Sequence, residues 1–167
     1  TLDKPQSAPD IDWAKVNAGQ TGFYRVNYAK EEWSNLQKAI EAKLLPATDR
    51  LGLQNDAYAL MRSGFLPATV FLSLARSYKG EDSMPVWGDL AANLRGLESL
   101  LIDQPIFTQY QRFAGSIFDR IVNKVGWEPV AESGHLDALL RGIVLGQKGN
   151  YGDPKVIAEA QTRFASY

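Results

Sequence analysis

The sequence predicts a mainly α-helical protein: an irregular, α-solenoid-like array (HEAT- or armadillo-like) of about seven antiparallel helices, preceded by a β-hairpin. Three observations carry this. Apolar residues switch from period two to a period near 3.6 at residue 30. Prolines and glycines punctuate the helical stretches and leave only short connections. Consecutive aromatic and β-branched residues are concentrated before the switch, in Phe23-Tyr24-Arg25-Val26-Asn27-Tyr28.

Residues 1–10 hold two prolines among small polar residues and read as a linker or tail. Residues 11–28 alternate around the turn-forming Ala18-Gly19-Gln20-Thr21-Gly22, so two strands are expected. Because a lone hairpin is marginal in water, it should lean on a helix or belong to a larger sheet. Residues 29–167 form the helical part. Trp33, Leu36, Ile40 and Leu44 mark the first helix, stopped before Pro46. Asp49 is expected to cap a second, closed by Gly64. Pro67 and Pro85 open a third and a fourth. A fifth runs from Pro105 to Gly126, a sixth from a Ser133 cap to about Gly146, and a seventh from Asp153-Pro154. No fixed-period repeat is present, so the array is irregular.

Composition narrows the chemistry. The 167 residues carry a formal net charge of -1, which argues against nucleic acid or an anionic membrane as the main partner. There is no cysteine and one histidine, which excludes disulfides, a thiol nucleophile and any two-histidine metal site. The absent cysteine fits a reducing compartment. Thr1 in place of an initiating methionine reads as a processed chain or an excised fragment.

Candidate chemistry is sparse. Ser133, His135 and Asp137 sit at successive alternate positions, but neighbours around one helix start do not converge as a catalytic triad. The glycines at 142, 146, 149 and 152 follow a helix, not a strand, so they read as helix-end and turn residues. The adjacent acids Glu31/Glu32 and Glu81/Asp82 read as partners of helix dipoles. Gly52, inside a helix start, implies that something packs close to it. Arg50 and Asp56 flank it and are structural lock candidates, as a buried ion pair or a tie to the hairpin.

Several stretches together resemble one family. Trp13-Ala14-Lys15-Val16-Asn17-Ala18-Gly19-Gln20-Thr21-Gly22-Phe23-Tyr24-Arg25-Val26-Asn27-Tyr28 is similar to the segment that follows the catalytic domain in M1 (gluzincin) zinc aminopeptidases. Asp49-Arg50-Leu51-Gly52-Leu53-Gln54-Asn55-Asp56 resembles the start of their helical C-terminal domain, and Val86-Trp87-Gly88-Asp89-Leu90 with Asn93-Leu94 the next landmark. Gly126-Trp127-Glu128 and Gly134-His135-Leu136-Asp137-Ala138-Leu139-Leu140-Arg141-Gly142 look most like the puromycin-sensitive, cytosolic branch.

The resemblance implies a parent enzyme that removes N-terminal residues from peptides with one zinc ion. The family's His-Glu-x-x-His and Gly-x-Met-Glu-Asn motifs are absent from this sequence. The chain is therefore expected to be inactive alone, with no catalytic or metal residues and no cofactor of its own. The resemblance makes residues 11–28 the last hairpin of a β-sandwich domain and residues 29–167 part of a helical bowl that encloses the active site and contacts peptide. Its implied partners are the parent's other domains and the peptide substrate, in the cytoplasm. Asn93 and Arg95 are the peptide-facing candidates on the fourth helix. An apolar helical edge left uncovered would promote self-association. The alternative is a stand-alone helical-repeat module that binds a protein or peptide.

Overall fold

The computed structural model describes residues 13–129 and 134–167. Among these residues eight α-helices follow in order: α1 (Lys30–Glu41), α2 (Ala47–Arg62), α3 (Ala68–Arg76), α4 (Met84–Leu101), α5 (Phe107–Ile117), α6 (Asp119–Val125), α7 (His135–Asn150) and α8 (Pro154–Ala165). Short 3-10 turns lie at Ala18–Gln20 and Ser77–Gly80. The expected fifth helix is two helices. The chain turns at Phe118 with near-helical dihedrals (φ -86°, ψ -7°), so the apolar spacing runs through the break unchanged.

The expected β-hairpin is not formed: among the described residues there is no strand. Side chains satisfy the backbone where a ladder would have done so. Asn17, in the left-handed region at φ 58°, accepts from Gly22 N at 2.7 Å and donates to Gly22 O at 2.9 Å. The Tyr28 hydroxyl accepts from Val16 N at 3.1 Å, in the place of a cross-strand carbonyl. Residues 13–28 are thus a strap of turns and extended chain laid over the helices. Residues 11 and 12 of the expected hairpin lie outside the described residues, as do the expected cap Ser133 and residues 1–10.

Two further helix boundaries differ from expectation. Pro46, not Asp49, caps α2; Asp49 is buried in the first turn and its carboxylate serves the strap. α7 continues past Gly146 and Gly149 to Asn150, so of the four glycines there only Gly152, at φ 82°, is a turn residue. Asp153 does cap α8, accepting from Lys155 N and Val156 N at 3.0 and 3.1 Å.

One continuous core runs through the molecule. Trp33, Leu36, Phe71, Leu74 and Tyr78 fill its first half; Trp87, Leu90 and Leu94 of α4 its middle; Ile117, Phe118, Ile121 and Val144 its far side. α4 packs on α2, α5 and α7. Leu136, Leu139, Ile157 and Phe164 of α7 and α8 are exposed, which leaves an apolar edge.

Candidate functional site

The fourth and seventh helices meet along a groove of about 280 Å³. Gly88, Ala91, Ala92 and Arg95 line it from α4, and Gly142, Ile143, Gly146 and Gln147 from α7. Steps of three and four place each set on one helical face. Five of these eight residues are glycine or alanine, so the two helices leave space between them. A Cβ added at Gly142 or Gly146 would meet nothing within 4 Å, so these glycines answer no packing demand inside the described chain.

Arg95 stands at one end of the groove. Its Nη2 donates to Gln147 Oε1. Gln147 is buried at 2% exposure, and its Nε2 donates to Ala91 O at 3.2 Å and Tyr151 Oη at 3.3 Å. A buried amide thus aims an exposed guanidinium. Behind it the Tyr110 hydroxyl donates to Leu94 O at 2.5 Å, and the Tyr110 and Tyr151 rings meet edge to face at 6.4 Å. Burial pushes both tyrosine hydroxyls well above their ordinary range, so the cluster behind Arg95 is neutral.

Asn93 is placed differently. It is buried at 7%, and its amide donates to Asp89 Oδ2 at 2.9 Å, away from open surface. Its polar type had suggested exposure, but position 93 shares a stripe with Leu90 and Leu97. Burial raises the Asp89 carboxyl, which the Asn93 hydrogen bond and the nearby Arg25 charge oppose.

Arg50 and Asp56 are both buried, but they are not paired with each other. Arg50 reaches Glu81: Nε to Oε2 is 2.6 Å and Nη2 to Oε1 is 2.8 Å, with Nη1 on Leu45 O at 2.6 Å. Glu81 also accepts from Asp82 N and Ser83 N, both at 2.8 Å, so it is a buried anion rather than a helix-dipole partner. Its sequence neighbour Asp82 takes Lys43 at 2.5 Å. Asp56 instead takes Arg25 Nη1 at 3.2 Å and Val26 N at 3.3 Å from the strap. Gly52 meets the strap's Gln20: a Cβ there would lie 1.9 Å from Gln20 Nε2. Sequence reasoning missed Glu81, Lys15 and Gln20, because each partner lies some thirty residues away with no spacing signal.

His135 is exposed at the start of α7, and the nearby Asp137 carboxylate accepts from Gly134 N at 3.0 Å. Ser133 is outside the described residues. One exposed histidine cannot supply a zinc site, and among the described residues no three His, Asp or Glu side chains converge on a metal position. The donor set does not fit zinc.

The sequence profile of the ERAP1-like C-terminal domain matches residues 13–167. The chain belongs to that family. Aminopeptidase M1-A of Oryza sativa subsp. japonica is 36% identical over 154 residues, 91% of this chain. Aminopeptidase M1 of Arabidopsis thaliana is 32% identical over 93% of it. The alanine/arginine aminopeptidase of Saccharomyces cerevisiae is 29% identical, also over 93%. The chain is a C-terminal segment of the M1 aminopeptidase type, and it spans 18% of the length of each of these relatives. No described helix is long and apolar enough to cross a membrane.

Proposed function

We propose that the chain is the non-catalytic helical portion of a larger zinc aminopeptidase that removes N-terminal residues from peptides. It would act as scaffold, enclosing the active site and offering peptide a contact surface. The observation that carries this reading is the unbroken match of residues 13–167 to a C-terminal aminopeptidase domain. A single histidine supports the division of labour: zinc and its ligands would belong to the parent's other domains. A cytoplasmic location of the parent belongs to the same reading.

Within this reading Arg95 is the peptide-facing residue, because Gln147 aims its guanidinium at the groove and a guanidinium can hold a carboxylate by two hydrogen bonds. Asn93, turned to Asp89, supports the wall of α4 behind it in this reading. Arg50 and Asp56 are fastening residues, one within the array and one toward the strap. The uncovered apolar side chains of α7 and α8 support self-association of the isolated chain.

The test uses the isolated chain and the parent enzyme side by side. The pure chain with added zinc should release no product from an aminoacyl reporter. Arg95→Ala in the parent should raise KM for longer peptides and leave reporter turnover unchanged. Hydrolysis by the pure chain, or equal effects on long peptides and reporter, would refute the reading.

A further inference from the structure

We propose that residues 13–27 form a releasable clasp on α2, with Asp49 and Asp56 as its two latches and Gly52 as the seat between them. This extends the fastening role given to Asp56 above, and holds whether or not the parent is an aminopeptidase.

The three α2 positions are separated by three and four residues, so they share one face of the helix. The latches work alike. Asp49 accepts Lys15 Nζ at 3.1 Å and Gly19 N at 2.7 Å. Asp56 accepts Arg25 Nη1 at 3.2 Å and Val26 N at 3.3 Å. Each carboxylate therefore takes one cation and one backbone N–H from the strap. The two lie roughly 10 Å apart along the helix axis. Between them the Gln20 amide rests where any α2 side chain would stand.

Charge does most of the fastening. Of the apolar residues in 13–27, Trp13 and Val26 alone pack against the core, and both are only partly buried. Phe23 and Tyr24 face solvent. The buried anchor is Tyr28, edge to face with Trp33 at 5.0 Å, and it is the natural pivot. The strap brings Lys15 to Asp49 and Arg25 to Asp56 on α2, with Asp89 of α4 in the field of Arg25. Arg50, the nearest α2 cation, points away to Glu81. A segment held this way can open without exposing the helical core. Salt acts chiefly on Arg25, which is half exposed, while Lys15 is sheltered.

Amide hydrogen exchange on the whole chain tests this. The Gly19 and Val26 amides should be protected at neutral pH. Lys15→Met or Arg25→Met, which leave α2 untouched, should each speed exchange at both amides by at least about tenfold. Amides of α4 should keep their rates. Gly52→Ala should do the same by displacing Gln20, and Gln20→Gly in that background should restore protection. Changes confined to the nearer amide would mean two independent contacts and no clasp. Equal acceleration in α4 would mean that the strap opens only when the whole fold does. Either result overturns the proposal.

Discussion

Replacing Glu81 by Gln should destabilise the protein out of proportion to so small a change. The substitution keeps the side chain's shape and removes its charge. Wild-type Glu81 has a side chain 1% exposed and Arg50 one 8% exposed, so the pair is out of water. The carboxylate accepts two guanidinium N–H groups and the N–H groups of Asp82 and Ser83. Its backbone carbonyl also accepts Trp87 Nε1 at 3.1 Å, and the Tyr78 hydroxyl donates to Arg50 O at 2.6 Å. These bonds tie the first turn of α2 to the chain between α3 and α4. Gln would leave Arg50 charged, buried and unpaired, which costs about 3–5 kcal/mol. Typical domain stabilities are about 5–15 kcal/mol. At about 2–4 °C per kcal/mol for this chain length, Tm should fall by about 6–20 °C. Thermal circular dichroism at neutral pH reads this directly. A fall of less than about 2 °C would refute the reasoning. Replacing both partners, Arg50→Met with Glu81→Met, should recover most of the loss, because no lone charge remains.

The same pair gives a pH signature. Burial alone would raise the Glu81 carboxyl, but Arg50 and the two backbone N–H groups outweigh it and hold it below the ordinary carboxylate range. A carboxyl depressed by folding stabilises above its unfolded pKa of about 4.3, and that stability fades as pH falls through the folded value. The gap between wild type and Glu81→Gln should therefore be widest near neutrality and close in acid. A gap unchanged down to about pH 2 would contradict the assignment.

Three further outcomes follow from the helical glycines and from the tyrosine cluster behind the groove. Gly142→Ala and Gly146→Ala should each raise stability by about 0.5–1 kcal/mol in denaturant melts, since helical glycine is costly and the added methyl meets nothing. Gly96→Ala should lower it, since its Cβ would lie 2.1 Å from the Tyr58 hydroxyl. In alkali, Tyr110 and Tyr151 resist ionisation because burial raises them, so their contribution holds below the unfolded tyrosine pKa of about 10 and is lost as pH rises above it. Tyr110→Phe should flatten that alkaline decline; an unchanged slope would remove Tyr110 as its source.

Most helices were legible because each carries its own apolar stripe and its own stop signal. The break at Phe118 was not, since a turn with near-helical dihedrals leaves the stripe in phase. The strap misled for a physical reason: aromatic and β-branched residues favour strands on average, whereas here Asn17 and Tyr28 meet backbone groups that a neighbouring strand would meet. Gly52 signalled a close approach, and Gln20 supplies it across a span that no local pattern encodes. Glu81 looked like half of an adjacent acidic pair, yet its partner lies thirty-one residues back. Asn93 was legible as polar but not as buried; Asp89, one turn earlier, satisfies it.

The central position of α4 bears on how the molecule unfolds. A true repeat array can lose its ends one unit at a time, because each unit touches only its neighbours. Here Trp87, Leu90 and Leu94 complete the apolar face of α2 on one side and of α5 and α7 on the other. Neither half can close without that shared wall. Loss of α4 register would uncover both halves at once, so the array should melt in a single concerted transition with coincident signals from Trp33 in one half and Trp87 in the wall itself.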